Sequence, residues 1–283
     1  MFWTSLAVLL RITSNSLLNV GQKKLSLAYS PFFTNFNTYF ILFLVCVPLF
    51  LLVYLKSFTF EMFVWSFVGG FFGALGNVFL ISALRYGELS VLGPVNSYKP
   101  IVALMVGIFL IGEIPGLVSL FGMLVVIAGS YIVFDTVKEG FSPALLKRKD
   151  IQFRIFALVF SAIEAVFIKK IILLSDIYCS FLLWVIFGCI FSFFILKASK
   201  TKKARICNLK MFLSLSLCVF IMQFSTNFVF SKISVGAALS LFQLSNILNV
   251  FLGYKIFNEK HLLKKLIGSI IMVIGAIMII CYN

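Results

Sequence analysis

Histidine occurs once in this chain, at His261, and only 9 acidic residues stand against 24 lysines and arginines. Transition-metal sites need clustered imidazoles, thiolates or carboxylates. The six cysteines (Cys46, Cys179, Cys189, Cys207, Cys218 and Cys281) form no CxxC pair, so neither a metal nor another cofactor is expected. Membrane-embedded enzymes carry clustered His or acidic residues near the interface, or an HExxH pair. The chain has neither and is not read as an enzyme. Cys46, Cys189 and Cys218 fall inside apolar runs and are expected to act as small apolar fillers rather than disulfides. Charge is scarce altogether. Charged residues make up 12% of the chain and hydrophobic residues 62%, with 35 phenylalanines. That is more apolar surface than a soluble fold of 283 residues can hide. The expected class is an all-α polytopic membrane protein, with the lipid bilayer as its first partner.

The net charge of +15 does not point to nucleic acid. The basic residues sit in short loops between apolar runs, which is the signature of membrane topology, so no nucleic-acid partner is expected. The first apolar run has no basic n-region and no A-x-A cleavage site, so it is read as a retained helix rather than a cleaved signal.

Crossing the hydrocarbon core takes about 20 apolar residues in helical form. Runs approaching that length fall near 2–22, 34–55, 62–84, 89–112, 117–134, 152–172, 177–197, 209–230, 235–257 and 262–281, giving ten expected spans. The longest loop, around 135–151, divides them five and five. A constant offset of 146 residues aligns the two halves without gaps. Glu113 falls on Glu259, Gly107 on Gly253, Gly122 on Gly268 and Gly129 on Gly275. Lys23–Lys24 falls on Lys169–Lys170, Lys56 on Lys202 and Asn77 on Gln223. The expected units are therefore 1–137 and 147–283, each a five-helix repeat. Five is odd, so the second repeat enters the membrane from the opposite side. That is the inverted arrangement found in many secondary transporters.

The stretch from Ala83 to Val133, which includes "LGPVNSYKPIVALMVGIFLIGE", carries a proline in the fourth span, Gly112–Glu113 thirteen residues beyond it and a glycine-spaced fifth span. In these features it resembles the EamA-type repeat of the drug/metabolite transporter superfamily, and the resemblance covers nearly the whole chain. The second copy, 229–279, keeps Glu259 and the glycines but has Asn246 where the first has Pro100. The resemblance implies a ten-helix transporter with a central cavity lined by spans 1, 3 and 4 and their counterparts 6, 8 and 9. It implies no particular substrate. It also leaves Lys99 unexplained, because a small residue usually precedes this proline.

Most basic residues, among them Lys23, Lys24, Arg85, Lys138, Lys147, Arg148, Lys149, Arg154, Lys260, Lys264 and Lys265, fall in loops of one side. Lys56, Lys169, Lys170 and Lys232 fall on the other. The positive-inside rule makes the first side cytoplasmic and both termini extracytoplasmic. The expected location is a bacterial cytoplasmic (inner) membrane.

Polar residues within spans must face protein or water. On the first span Arg11, Asn15 and Asn19 step by four, and on the ninth Ser240, Gln243, Asn246 and Asn249 step by three, so each set makes one stripe. The eighth adds Gln223, Thr226 and Asn227, the fourth Asn96, and the third Asn77 on a face of Gly69, Gly73 and Gly76. Such residues either line a cavity or hold helices together. The stripes of the first and ninth spans are read as lining, and the glycines as packing. Glu113 and Glu259 are read as structural or gate residues at hydrated membrane edges. Pro100, lacking an N–H, is expected to free the carbonyl of Asn96 beside Lys99.

Three charges look embedded: Arg11, Lys99 and Glu164. If Glu164 pairs with one cation, a positive charge remains, favouring an anionic or zwitterionic ligand. The expected function is secondary transport of a small polar metabolite, such as an amino acid, by alternating access. Lys99, Arg11, Asn15, Asn77, Asn96, Gln223, Asn227, Gln243, Asn246 and Asn249 would line the substrate cavity. Glu164 is the candidate carrier should H+ be the coupling ion. A two-repeat chain can work alone, so a monomer or weak dimer is expected. The alternatives are a multidrug exporter or a flippase of lipid-linked substrates with the same fold. Small multidrug exporters place a glutamate near the positions of Asn15 and Ser161, and Glu164 is displaced from that register.

Overall fold

The computed structural model describes residues 2–52, 59–102, 116–201, 206 and 208–281. Among them the secondary structure is helix and loop, with no strand. In a bilayer that outcome follows from backbone chemistry, since a helix satisfies its own N–H and C=O groups where no water can. The helices are α1 (Phe2–Ala28), α2 (Pro31–Leu52), α3 (Phe60–Tyr86), α4 (Leu89–Val95), α5 (Leu117–Phe134) and α6 (Lys149–Leu174). They continue with α7 (Ile177–Ala198), α8 (Leu209–Lys232), α9 (Val235–Phe242), α10 (Ser245–Phe257) and α11 (Leu262–Cys281). Thr59, Asp176, Asn208 and Ser234 accept from a backbone N–H of the first turn and so start α3, α7, α8 and α9. Asn258, at φ 53°, closes α10 in the left-handed conformation that asparagine tolerates.

Seven described stretches are long and apolar enough to cross a membrane: Pro31–Leu49, Phe60–Tyr86, Leu117–Phe134, Ile177–Ala198, Leu209–Lys232, Val235–Phe257 and Leu262–Ile279. Helices α1 and α6 match them in length, at 27 and 26 residues, but carry more polar side chains. The outer surface bears large apolar side chains such as Phe67, Phe121, Leu124, Phe194 and Ile267, as a lipid-facing surface must. This is an integral membrane protein. Cys46, Cys179, Cys189 and Cys218 are free thiols, the first two buried. Cys207 lies outside the described residues.

Helix pairing agrees with the offset of 146. Helices α2 and α7, and α5 and α11, pack together, and each of these pairs joins a helix to its own counterpart. Helix α4 packs on α10, which shares the ninth span with α9, the counterpart of α4. Helix α1 packs on α8 and α3 on α6, and the offset exchanges these two pairs with each other. A Cβ on Gly122 would stand 2.8 Å from the Gly275 carbonyl, and one on Gly129 2.7 Å from that of Gly268. Gly122 thus faces Gly275 and Gly129 faces Gly268, so α5 and α11 run antiparallel with backbones in direct contact. A two-repeat architecture fits this pairing. Gly69 abuts Phe167, in keeping with its packing reading, whereas Gly73 and Gly76 line a cavity.

The fourth and ninth spans depart from the continuous helices expected. Helix α4 gives way at Asn96–Tyr98 to a tighter 3-10 turn before the chain becomes helical again through Val102. The ninth span breaks between α9 and α10, where Gln243 N–H donates to Ser240 O at 3.0 Å and Asn246 N–H to Gln243 O at 2.8 Å. Residues 96–98 fall on 242–244 under the offset, so both breaks occupy the same repeat position. Proline cannot be the shared cause, because the second break has none nearby. The stretch 103–115, with Gly107 and Glu113, lies outside the described residues, as does Lys56.

Candidate functional site

The two helix breaks flank a cavity of about 130 Å³. A larger one, about 490 Å³, is lined mainly by apolar side chains, including Val95, Phe134 and Leu158, and offers little to a polar ligand. The smaller cavity collects most of the polar residues singled out from sequence. Arg11, Asn15, Asn77, Asn96, Lys99, Glu164, Gln223, Asn246 and Asn249 all line it. Asn227 and Gln243 do not. Asn227 is fully buried against Gln223, 2.9 Å away, and Ser180. Gln243 accepts from Asn96 and Asn246, both at 3.1 Å, and donates to Leu239 O at 2.8 Å. It ties one helix break to the other.

Several lining residues also have their polar groups occupied. Asn77 accepts from Gln22 at 3.1 Å and donates to Asn35 at 2.6 Å, and Asn35 donates to Ser192 at 2.9 Å. That network joins α1, α2, α3 and α7. Asn15 donates to Ser245 Oγ at 3.2 Å, and Asn246 to Ser97 Oγ at 2.9 Å.

The charged residues are held differently. The Arg11 guanidinium lies 4.6 Å from the centre of the Phe242 ring, a cation–π contact. Its Nε and one Nη are buried with no hydrogen-bond partner. Lys99 is only 8% exposed, and its ammonium makes no hydrogen bond or ion pair among the described residues. It feels the charges of Arg11, Glu164 and Arg154 around it. Glu164 accepts from Trp184 Nε1 at 2.6 Å. Its carboxylate fills the place where a side chain on Gly73 would begin, so glycine at 73 makes room for the acid.

Sequence reasoning missed Arg154. It was placed with the cytoplasmic loop cations, but it lies inside α6, is 7% exposed and lines the cavity. The available signal was spacing: Arg154, Ser161, Glu164 and Ile168 step by seven, three and four along one face of α6, and all line the cavity. The expected free carbonyl of Asn96 is also corrected. Lys99 N–H donates to it, because the 3-10 turn shifts the bonding back by one residue. The same shift turns Asn96 N–H to Gly93 O. Leu92 O, its partner in a regular helix, instead accepts from Arg154 Nε at 2.9 Å. Pro100 sits directly after this turn.

Glu259 is not hydrated, as its place near a membrane edge suggested. It is 7% exposed. Its carboxylate accepts from Lys23 Nζ at 2.7 Å and from the N–H groups of Leu89 and Ser90, each at 2.8 Å. Burial opposes its charge, but Lys23 and the helix-start N–H groups outweigh that and hold the carboxyl below its ordinary range. Lys23 also donates to Gly87 O at 2.9 Å. Close by, buried Lys265 pairs with Glu88 and donates to Ser90 Oγ at 2.8 Å. This polar clamp fastens α1, the start of α4 and the α10–α11 connection. On α6, Lys169, the repeat counterpart of Lys23, donates to Phe230 O and to Ile233 O, the latter at 3.4 Å. Ile233 is the counterpart of Gly87, so the lysine contact recurs in both halves.

Comparison with known proteins agrees with this architecture. A crystal structure described only as that of a protein superposes with a TM-score of 0.68 at 17% identity, covering 98% of this chain and 94% of the other. That likeness concerns the fold alone. No curated protein matches the sequence. The model of the EamA-like transporter family matches residues 2–135 and again 150–281. The chain belongs to the EamA-like transporter family.

Proposed function

We propose that this protein is a secondary transporter that moves a small anionic or zwitterionic metabolite by alternating access. In this reading ten spans form two inverted five-helix repeats, 1–137 and 147–283, that rock about the central cavity. The observation that carries it is the cluster of Arg11, Lys99, Arg154 and Glu164 in one buried cavity, flanked by repeat-equivalent helix breaks. Charges in a membrane interior are costly and are retained where they serve a ligand or ion, and discontinuous helices meeting near the midplane form such sites in inverted-repeat transporters. Three cations against one carboxylate disfavour a cationic drug, the ligand of the rival exporter reading.

Lys99 and Arg11 hold the negative group of the substrate, and the free polar faces of Asn15, Gln223 and Asn249 meet its neutral substituents. Glu164 is the candidate carrier should a proton be the coupling ion. The clamp around Glu259 closes the basic, cytoplasmic side, and the termini face the exterior of a bacterial inner membrane. A reporter fused to Asn283 that is active only on the cytoplasmic side would refute that orientation. The function is tested with Lys99→Ala, purified, shown to melt near wild type and reconstituted in liposomes. Transport should fall at least tenfold, and undiminished uptake refutes the assignment of Lys99.

A further inference from the structure

We propose that the ligand of this cavity is a small dianion, a dicarboxylate or a phosphate ester, and that transport proceeds as exchange of one dianion for another. The proposal rests on the transporter reading above and goes beyond it through the charge balance of the site. Arg11, Lys99 and Arg154 supply three formal positive charges and Glu164 one negative, which leaves a surplus of two.

None of the four is neutralised by an ion pair among the described residues. The pairs found there join Lys23 to Glu259, Arg148 to Glu139 and Asp150, Lys264 to Asp135 and Lys265 to Glu88, all away from the cavity. Three of the four are positioned by a neutral group instead, and the Lys99 ammonium has no hydrogen-bond partner among the described residues. Arg11 rests on the Phe242 ring, Arg154 donates to the Leu92 carbonyl and Glu164 accepts from the Trp184 indole. Arg11 keeps Nε and one Nη buried and unpaired, and a guanidinium with unspent donors suits the oxygens of a carboxylate or phosphate.

The electrostatic cost of enclosing a site in a low-dielectric interior grows with the square of its net charge, and it is lowest where charges are matched. A zwitterion leaves the surplus at two, a monoanion leaves one, and a dianion cancels it. A volume of about 130 Å³ admits only a small ligand. The same balance governs turnover. During alternating access the site is closed to water on both sides. The empty site makes that passage carrying two uncompensated charges, whereas the site loaded with a dianion makes it neutral. Return of the empty form is therefore the slow step, and a dianion on the far side removes it.

Purified protein is titrated by thermal shift and by direct binding with succinate, inorganic phosphate, lactate, alanine and tetraphenylphosphonium. Succinate or phosphate should bind at least tenfold more tightly than lactate or alanine. Arg154→Gln should compress the succinate-to-lactate affinity ratio about tenfold, while Arg154→Lys keeps it. A merely structural Arg154 would alter stability and leave that ratio unchanged. In liposomes, uptake of the dianion that binds should rise at least tenfold when the interior holds the same dianion. Equal uptake into loaded and empty liposomes overturns exchange. Lactate or alanine binding as tightly as the dianions, or no binding of either dianion, overturns the dianion site; in the first case transport of an anion or zwitterion still stands. Binding of tetraphenylphosphonium alone overturns both this proposal and the transporter reading on which it rests.

Discussion

Replacing Glu259 by glutamine should release the clamp that joins α1, α4 and the α10–α11 connection. The carboxylate is 5% exposed in its ion pair with Lys23 at 2.7 Å. It also accepts the N–H groups of Leu89 and Ser90 at 2.8 Å. Glutamine keeps one acceptor oxygen but turns an NH₂ toward donors. At least one helix-start N–H or the Lys23 ammonium is then left without an acceptor, although Lys23 retains Gly87 O. Breaking one side of a buried ion pair costs about 3–5 kcal/mol. At roughly 2–4 °C per kcal/mol for a chain of this size class, the melting temperature in detergent should fall by about 6 °C or more. Restoration tests the pairing: Lys23→Gln combined with Glu259→Gln should cost clearly less than the sum of the single changes. The pH dependence has a defined sign. The folded-state carboxyl is held below its ordinary value, so its stabilisation is present above the unfolded pKa of about 4.3 and is lost as pH falls through the lower folded value. The gap between wild type and Glu259→Gln should be constant from pH 5 to pH 8 (about one carboxylate's range above its pKa) and close in stronger acid. A variant that melts within about 1 °C of wild type at pH 7 would refute a buried, energetically coupled clamp.

Other substitutions probe the repeat contact and the cavity. Gly129→Ala brings a methyl group to 2.7 Å from the Gly268 carbonyl, and Gly268→Ala repeats the clash from the other helix. Each should destabilise by about 1–3 kcal/mol, measured by thermal melting, whereas Gly140→Ala, where nothing lies within 4 Å, should show only the strain of its φ of 59°. Gly73→Ala places a methyl group where the Glu164 carboxylate now sits. It should break the bond to Trp184, and binding of the cavity ligand should weaken about tenfold while Trp184→Phe, which removes only the donor, weakens it less. Undiminished ligand binding in Gly73→Ala would show that the position of Glu164 is immaterial to the site.

Much of this architecture was legible in the sequence because composition names the solvent and spacing names the face. A chain that is 62% hydrophobic has to meet lipid. The offset of 146 aligned Gly122 with Gly268 and Gly129 with Gly275 as repeat equivalents, but that Gly122 meets Gly275 and Gly129 meets Gly268 across two antiparallel helices was set by the packing. The stripe of Arg11, Asn15 and Asn19 pointed to the cavity that all three line. Charge was harder. Arg154 lies just inside the start of α6 and beside the loop cations, so sequence position assigned it to the loop. Burial of Glu259 was equally hidden, since Lys23 and the α4 N–H groups that offset its desolvation come from segments about 170 and 236 residues away in sequence.

The sequence by itself determined the class of protein, the duplicated helical framework and the presence of charge inside it, because hydropathy, helical period and internal repetition are local properties. Only the tertiary structure decided which polar groups are spent on one another and which remain for a ligand. Asn77 and Gln243 are engaged in networks between helices, whereas Arg11 keeps buried donors free. It also decided where the helices break. A 3-10 turn at Asn96–Tyr98 moves each backbone bond back by one residue, hands the freed Leu92 carbonyl to Arg154 and leaves Lys99 facing the cavity. A hydrogen bond needs two groups at one place, and that place is set by how distant segments pack.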